Sequence, residues 1–394
     1  RITREIMDAV HDPSEKKELF EILNWDSAQK RLKDKIEEKR FLLVLDDMWE
    51  EDPSKWESLC EPLTYGGQGS KIIVTTRKQG VSDVVEAFPV TLRNLSSEDL
   101  WPIFKIYAFG RTDSHKYMQL ETIGRQINDR LNGSPLAARI IGRLLNKNFD
   151  VKFWKDTMKS EALMPKHLAN DILPILKLSY DHLPEQLQQC FAYCSLFPKD
   201  HRFQKSDLTH LWTAQHFIQT RRTSYAEHTN NDQYFNDLLY NSFFERDKER
   251  DYQFVMHDLI HDLAELVSGD DCFRLGEDRS KKIPETVRHV SLATRNFDLA
   301  KLAQLCERGN LRTLLFLRGC TFGLTSHLDA LFMKLKRLRV LDLRGCKITE
   351  LPRSIGTLTH LRFLDLSENP INRLPESFGN LHNLQVECER ANEI

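Results

Sequence analysis

LKRLRVLDLRGCKITELPRSIGTL (335–358) is followed, sharing its last leucine, by LTHLRFLDLSENPINRLPESFGNL (358–381). Leu338, Leu361 and Leu384 recur every 23 residues, and a weaker copy begins at Leu311. Within each copy the apolar positions follow L-x-x-L-x-L, and Cys346 or Asn369 stands at the polar turn. Such a unit contributes one strand and cannot bury its apolar side alone, so successive units must stack into a solenoid with a concave strand face. The spacing is that of leucine-rich repeats.

Upstream, FLLVLDDMWEED (41–52) runs five apolar positions into two adjacent carboxylates and a tryptophan. An unbroken apolar run reads as a parallel strand covered on both faces. A short helical stretch with Trp56, Leu59 and Leu63 follows, then GGQGSKIIVTTRKQG with a second apolar strand over 71–75. Strand, helix and strand within about 35 residues make a βαβ unit with parallel pairing. Parallel neighbours end on the same edge, where open α/β sheets bind ligands. Asp46, Asp47, Thr75, Thr76 and Arg77 are therefore expected at one crevice. Read alone, the paired carboxylates could equally be a solvated surface turn. A nucleotide with magnesium would give both a role, one acid near the metal and one on a water.

Between these ends the pattern is helical. Leu100, Phe104 and Tyr107 lie at i, i+4 and i+7, and Ile123, Ile127 and Leu131 at i, i+4 and i+8. Gly133 and Pro135 open a further helix, where proline's missing donor is tolerated. Residues 171–275 read as helices with one hairpin, its arms Ser242–Arg246 and Tyr252–Met256, which suggests a winged helix. The expected organisation is 1–95 as a partial nucleotide-binding α/β domain, 96–168 helical, 169–275 winged helix and 283–394 repeats. The fold class is multidomain: a partial P-loop NTPase-type parallel sheet, a helical bundle, a winged helix and a leucine-rich-repeat solenoid.

The bulk numbers exclude several classes. The 394 residues are 40% apolar and 29% charged, with a formal charge of -2, so no global field draws nucleic acid or an anionic membrane. No apolar run reaches the length of a membrane span, and no signal peptide opens the chain. Eight scattered cysteines read as thiols in a reducing compartment. That favours the cytoplasm, with the nucleus or a membrane periphery also open. The first residue is Arg1, so a fragment is expected.

Six ordered stretches carry a resemblance: FLLVLDDMW (41–49), GSKIIVTTR (69–77), LSSEDLWPIF (95–104), GSPLA (133–137), LKLSYDHLPEQLQQCFAYCSLFPKD (176–200) and MHDLIHDLA (256–264), followed by the repeats. Together they resemble the plant intracellular nucleotide-binding leucine-rich-repeat (NB-ARC/LRR) disease-resistance receptors, in that family's order. Trp49 directly after the acidic strand is what the class without a Toll-type domain shows.

The resemblance implies an ADP/ATP-operated switch of plant innate immunity, with magnesium, and not a metabolic enzyme. It implies that Asp46 is the magnesium-associated acid and Asp47 the acid orienting a hydrolytic water. Arg77 then resembles the γ-phosphate sensor, next to Thr75. Pro135, beside Gly133, resembles the proline packed on adenine, and His257 the histidine on the ADP β-phosphate. Implied partners are a pathogen effector or guarded host protein on the repeats, and further copies of the receptor on activation.

There are departures. No G-x-x-x-x-G-K-[ST] phosphate loop occurs, so nucleotide binding by this fragment is expected to be poor. Ser134 stands where the family usually has leucine, and Thr213-Ala214-Gln215-His216-Phe217 replaces Met-Ala-Glu-Gly-Phe. The alternative reading is a truncated interaction protein or decoy that uses only its repeats. His257 and His261 have the i, i+4 spacing of zinc helices, but Asp258 stands where zinc proteases need glutamate and no third ligand is evident. Cys190 and Cys194 lie among aromatic residues and read as core. DNA binding by the winged helix is not expected, for want of a clustered basic helix.

Overall fold

In the computed structural model the described residues are Ile6, 25–85, 87–110, 117–164, 172–218, 227–247, 250, 252–276, 282–294, 299–319 and 324–388. The chain divides into two compact units, Arg1–Arg93 and Asn94–Ile394, each described by itself.

In the first unit, helix α1 (Trp25–Ile36) precedes strand β1 (Leu42–Leu45), helix α2 (Pro53–Cys60), strand β2 (Lys71–Val74) and helix α3 (Gln79–Val85). β1 and β2 pair in parallel, Leu42 opposite Lys71 through Leu45 opposite Val74. One sheet face packs Phe41, Leu43 and Leu45 against Leu32, Ile36, Leu59 and Leu63. The other face differs from expectation: Leu42 is 65% exposed, Val44 55% and Ile73 50%. The apolar run suits a strand covered twice, but among the described residues only one covering layer meets it.

The second unit begins with helices α4 (Ser97–Phe109), α5 (Met118–Asn128), α6 (Pro135–Asn146) and α7 (Val151–Lys159). Ser96 caps α4 by accepting from the Asp99 amide at 3.1 Å. Leu100, Phe104, Ile127, Ile141 and Trp154 form the buried centre of this bundle. Helices α8 (Leu173–Asp181) and α9 (Glu185–Tyr193) lead to strand β3 (Phe203–Gln204), helices α10 (Lys205–Gln215) and α11 (Glu227–Tyr240), and the wing of β4 (Glu245–Arg246) and β5 (Gln253–Val255). The sheet order is β3-β5-β4, antiparallel, and helix α12 (Asp258–Ser268) follows. The hairpin is shorter than its expected arms, and residues 248, 249 and 251 of its turn lie outside the described ones.

The repeat sheet has six parallel strands in chain order: β6 (Cys272–Leu275), β7 (His289–Leu292), β8 (Thr313–Phe316), β9 (Val340–Asp342), β10 (Phe363–Asp365) and β11 (Val386–Cys388). Helix α13 (Leu299–Cys306) and helix α14 (Thr325–Lys334) lie on the connections before β8 and β9. The first rung was not legible in sequence. Cys272–Leu275, expected at the end of the winged helix, pairs with His289–Leu292 and opens the solenoid. The polar turn works as the pattern implies. Asn369 donates to the carbonyls of Leu343 at 2.8 Å and Leu366 at 2.9 Å, and accepts from the Ile348 amide at 2.9 Å. One side chain thus satisfies backbone groups on two successive coils.

The winged helix is seated on the repeat strands. Leu315, Val340 and Phe363, one from each of β8, β9 and β10, belong to the same buried cluster as Tyr193, Leu211 and Trp212. No helix among the described residues is long and apolar enough to cross a membrane.

Candidate nucleotide site

The parallel register brings Asp46 and Thr75 side by side just beyond β1 and β2. The ladder continues past the strands, with the Thr75 amide donating to Leu45 at 2.9 Å and the Met48 amide to the Thr75 carbonyl at 2.8 Å. The Thr75 hydroxyl donates to Asp46 and accepts from the Asp47 amide at 2.8 Å. It therefore fixes the orientation of one carboxylate and the backbone of the next.

Asp47 has φ of 51°, a left-handed conformation that costs a residue with a β-carbon about 1–2 kcal/mol. Its carboxylate is held from two sides. Arg77 Nε donates to Oδ1 and Nη2 to Oδ2, both at 3.2 Å, a bidentate pair. The Trp49 indole N–H donates to Oδ2 at 2.9 Å, and the Arg77 guanidinium lies 4.6 Å from the Trp49 ring centre. Sequence reading marked Trp49 only as a class feature and missed this contact. Its spacing of two residues from Asp47, on the same turn, was the available signal.

Asp46 is exposed, and among the described residues no cation pairs with it. An accessible, oriented carboxylate with a hydroxyl neighbour is the donor chemistry that hydrated magnesium takes. The residues present fit that ion.

Gly133, Pro135 and His257 stand in the second unit. Gly133 has φ of 65°, and a β-carbon there would lie 2.2 Å from the Leu95 carbonyl oxygen. Its role in the fold is to let the turn before α6 touch the chain before α4. Ser134 caps α6, accepting from the Ala137 amide at 3.3 Å, and Pro135 takes the first helical position, exposed. A leucine at 134 could not cap.

His257 caps α12. Its Nδ1 accepts from the Leu259 amide at 3.2 Å, which places the proton of the neutral ring on Nε2. The His261 Nε2 lies 2.7 Å from the Phe197 carbonyl and the His257 Nδ1 takes the Leu259 amide, so each of these two nitrogens already has a partner within the chain.

Comparison with known proteins agrees with this order of parts. The NB-ARC domain model matches residues 1–114, the disease resistance protein winged helix domain model 196–264, and the leucine-rich repeat region model 287–388. The chain belongs to the NB-ARC, leucine-rich-repeat resistance proteins of plants. It is 41% identical over 338 residues to a putative disease resistance protein of Arabidopsis thaliana, covering 84% of this chain and 23% of that protein. A putative disease resistance protein of Solanum bulbocastanum, RGA1, is 34% identical over 336 residues, covering 84% of this chain and 31% of its own length. The RPP13-like protein 1 of Arabidopsis thaliana is 33% identical over 342 residues, with 84% and 32% covered. The chain thus spans about a quarter to a third of the relatives it matches. Its NB-ARC region implies nucleotide binding in the family.

Proposed function

We propose that this NB-ARC chain is the central part of a cytoplasmic plant immune receptor switched by ADP and ATP. The observation that carries the reading is the Asp46–Thr75–Asp47–Arg77 constellation at the ends of two parallel strands. Asp46 would hold magnesium through its hydration shell. Asp47 would orient a water, and Arg77 would exchange its carboxylate partner for the γ-phosphate when ATP is bound. Bound magnesium neutralises phosphate charge; the chain's own residues orient and discriminate. Pro135 would pack on adenine. The Nε2 proton of His257 would reach the β-phosphate of ADP, so that the winged helix is clamped while ADP is held. Exchange for ATP would release the clamp and permit self-association, with the repeats recognising an effector or a guarded host protein.

The acidic, lysine- and arginine-free sequence of α11, EHTNNDQYFNDLLY, supports protein and not DNA as the partner. The test is ADP retention by purified full-length receptor carrying His257→Ala. Loss of one charge-assisted bond, about 1.5–3 kcal/mol, predicts roughly ten- to a hundredfold weaker ADP and a shift towards oligomer. Unchanged retention would overturn the clamp.

A further inference from the structure

Each of four successive rungs of the repeat sheet is preceded by an arginine: Arg288, Arg312, Arg339 and Arg362. The strand register pairs His289 with Thr313, Thr313 with Val340 and Val340 with Phe363, so these arginines occupy one row. Backbone bonds join them directly: Arg312 N to Arg288 O at 2.7 Å, and Arg339 N to Arg312 O and Arg362 N to Arg339 O, both at 2.8 Å. Strand neighbours lie about 4.8 Å apart, so Arg312, Arg339 and Arg362 span roughly 10 Å.

Four guanidinium groups at that spacing repel unless anions intervene. Arg288 is matched by Asp271, its Nη2 donating at 2.7 Å. Arg339 donates to the Gln215 carbonyl at 3.0 Å, at the end of α10. Arg312 and Arg362 have no carboxylate partner among the described residues, and the Nη1 of Arg362 is buried without a hydrogen-bond partner. Burial, then neighbouring cations, hold the Arg312 and Arg339 pKa values below the usual arginine range. Exposed His216 is lowered too, by desolvation and then by Arg362 and Arg339. Among the described residues, one carboxylate, that of Asp271, pairs with the row.

We propose that Arg312, Arg339 and Arg362 form a binding site for a compact oxyanion ligand carrying two or three linked phosphoryl groups. Guanidinium forks match phosphoryl oxygens bidentately, and a row of about 10 Å matches a short phosphate chain. All three arginines are half-buried beside the winged helix, which admits a small ligand better than an acidic protein surface. The site is independent of the nucleotide reading, since its residues lie in the repeats. Because the row abuts the last turn of α10, occupancy would stabilise the seating of the winged helix on the strands.

The test is calorimetric titration of the full chain with inorganic tripolyphosphate at low salt, for the unchanged protein and for R312Q, R362Q and R353Q. Arg353 lies outside the row, after β9, and controls for net charge. The expected result is saturable binding that weakens at least about tenfold in R312Q and in R362Q, little in R353Q, and steeply with added salt. Equal weakening in all three variants, or no saturable binding, would overturn the site. So would tighter binding of a glutamate-rich peptide than of tripolyphosphate. If the glutamine variants unfold, R312K and R362K keep charge and packing but lose the fork. Undiminished binding in both would then refute the proposal.

Discussion

The hydroxyl of Tyr193, at the end of α9, stands 3.1 Å from the hydroxyl of Thr313 in β8, and both residues are buried. Thr313 also receives the Gln215 amide at 2.7 Å and lies 2.9 Å from His289 Nδ1. A hydroxyl offers one donor and two acceptor sites. Donation to His289 and acceptance from Tyr193 and Gln215 satisfies all three, and joins the winged helix to two rungs of the solenoid. Thr313→Val keeps the shape and leaves three buried polar groups short of a partner. It is expected to destabilise the chain by about 1–3 kcal/mol, and Tyr193→Phe by less, because it removes one bond and leaves the others. Thermal unfolding of both variants checks this. A Thr313→Val midpoint equal to that of the unchanged protein would refute the network.

The same joint sets a pH dependence. Burial pushes His289 down to about 3 and His201 down to about 4, from an ordinary value of 6.5. Unfolded, both take protons below 6.5, so their contribution is full above that pH and is lost as pH falls. Asp342 runs the other way. Burial, then the neighbouring Asp365, pushes it up to about 7 from 3.8, so its contribution is present below 3.8 and is lost as pH rises through 7. Between about 4 and 6.5 two histidines oppose one aspartate, and net stability is expected to drop on acidification. Denaturant midpoints at pH 5 and pH 7.5 test the sign. His289→Gln should flatten the slope, and Asp342→Asn should stabilise at pH 8 by on the order of 1–3 kcal/mol.

How far the sequence carried these features depends on their range. Periods of 2, 3.6 and 23 residues are local, so the βαβ pairing, the bundle helices and the repeat coils were readable from Leu42, Phe104 and Leu361. The strand-end cluster of Asp46, Asp47 and Arg77 was readable because parallel topology fixes which ends meet. The Thr313 junction was not, since its partners lie 24, 98 and 120 residues away with no shared pattern. The rung at Cys272–Leu275 was missed because it lacks the leucine spacing. The open face of β1 was misjudged because an apolar run reports a preference for burial, and not the presence of a covering layer.

His216 ends α10 with φ of 63°, its amide on the Thr213 carbonyl at 2.9 Å and that of Phe217 on Trp212 at 3.1 Å. This is the left-handed position at which helices favour glycine. The related resistance proteins, by the resemblance noted above, use Met-Ala-Glu-Gly-Phe here. His216→Gly should relieve the backbone cost while adding freedom to the unfolded chain, for a net gain of up to about 1 kcal/mol. A rise of a few degrees in the melting temperature is the expected reading, and a fall would show that the imidazole contributes more than its backbone costs.

Nucleotide affinity offers the sharpest test of the strand-end site. A phosphate loop supplies several backbone N–H donors, a lysine on the β- and γ-phosphates and a hydroxyl on magnesium. The 394 residues contain no such motif. Three absent charge-assisted bonds at about 1.5–3 kcal/mol each remove on the order of 5–9 kcal/mol, enough to turn a nanomolar site micromolar or weaker. What remains does not compensate. Arg77 is already neutralised by Asp47 at 3.2 Å, and exposed Asp46 repels phosphate wherever magnesium is not held. Calorimetry of this polypeptide against ADP with magnesium should therefore show micromolar or weaker binding. Asp47→Asn should tighten it a fewfold by releasing the Arg77 guanidinium to the phosphates. Submicromolar binding by the unchanged chain would mean that Asp46, Thr75 and Arg77 hold nucleotide without a loop, and the assignment of their roles would have to be redrawn.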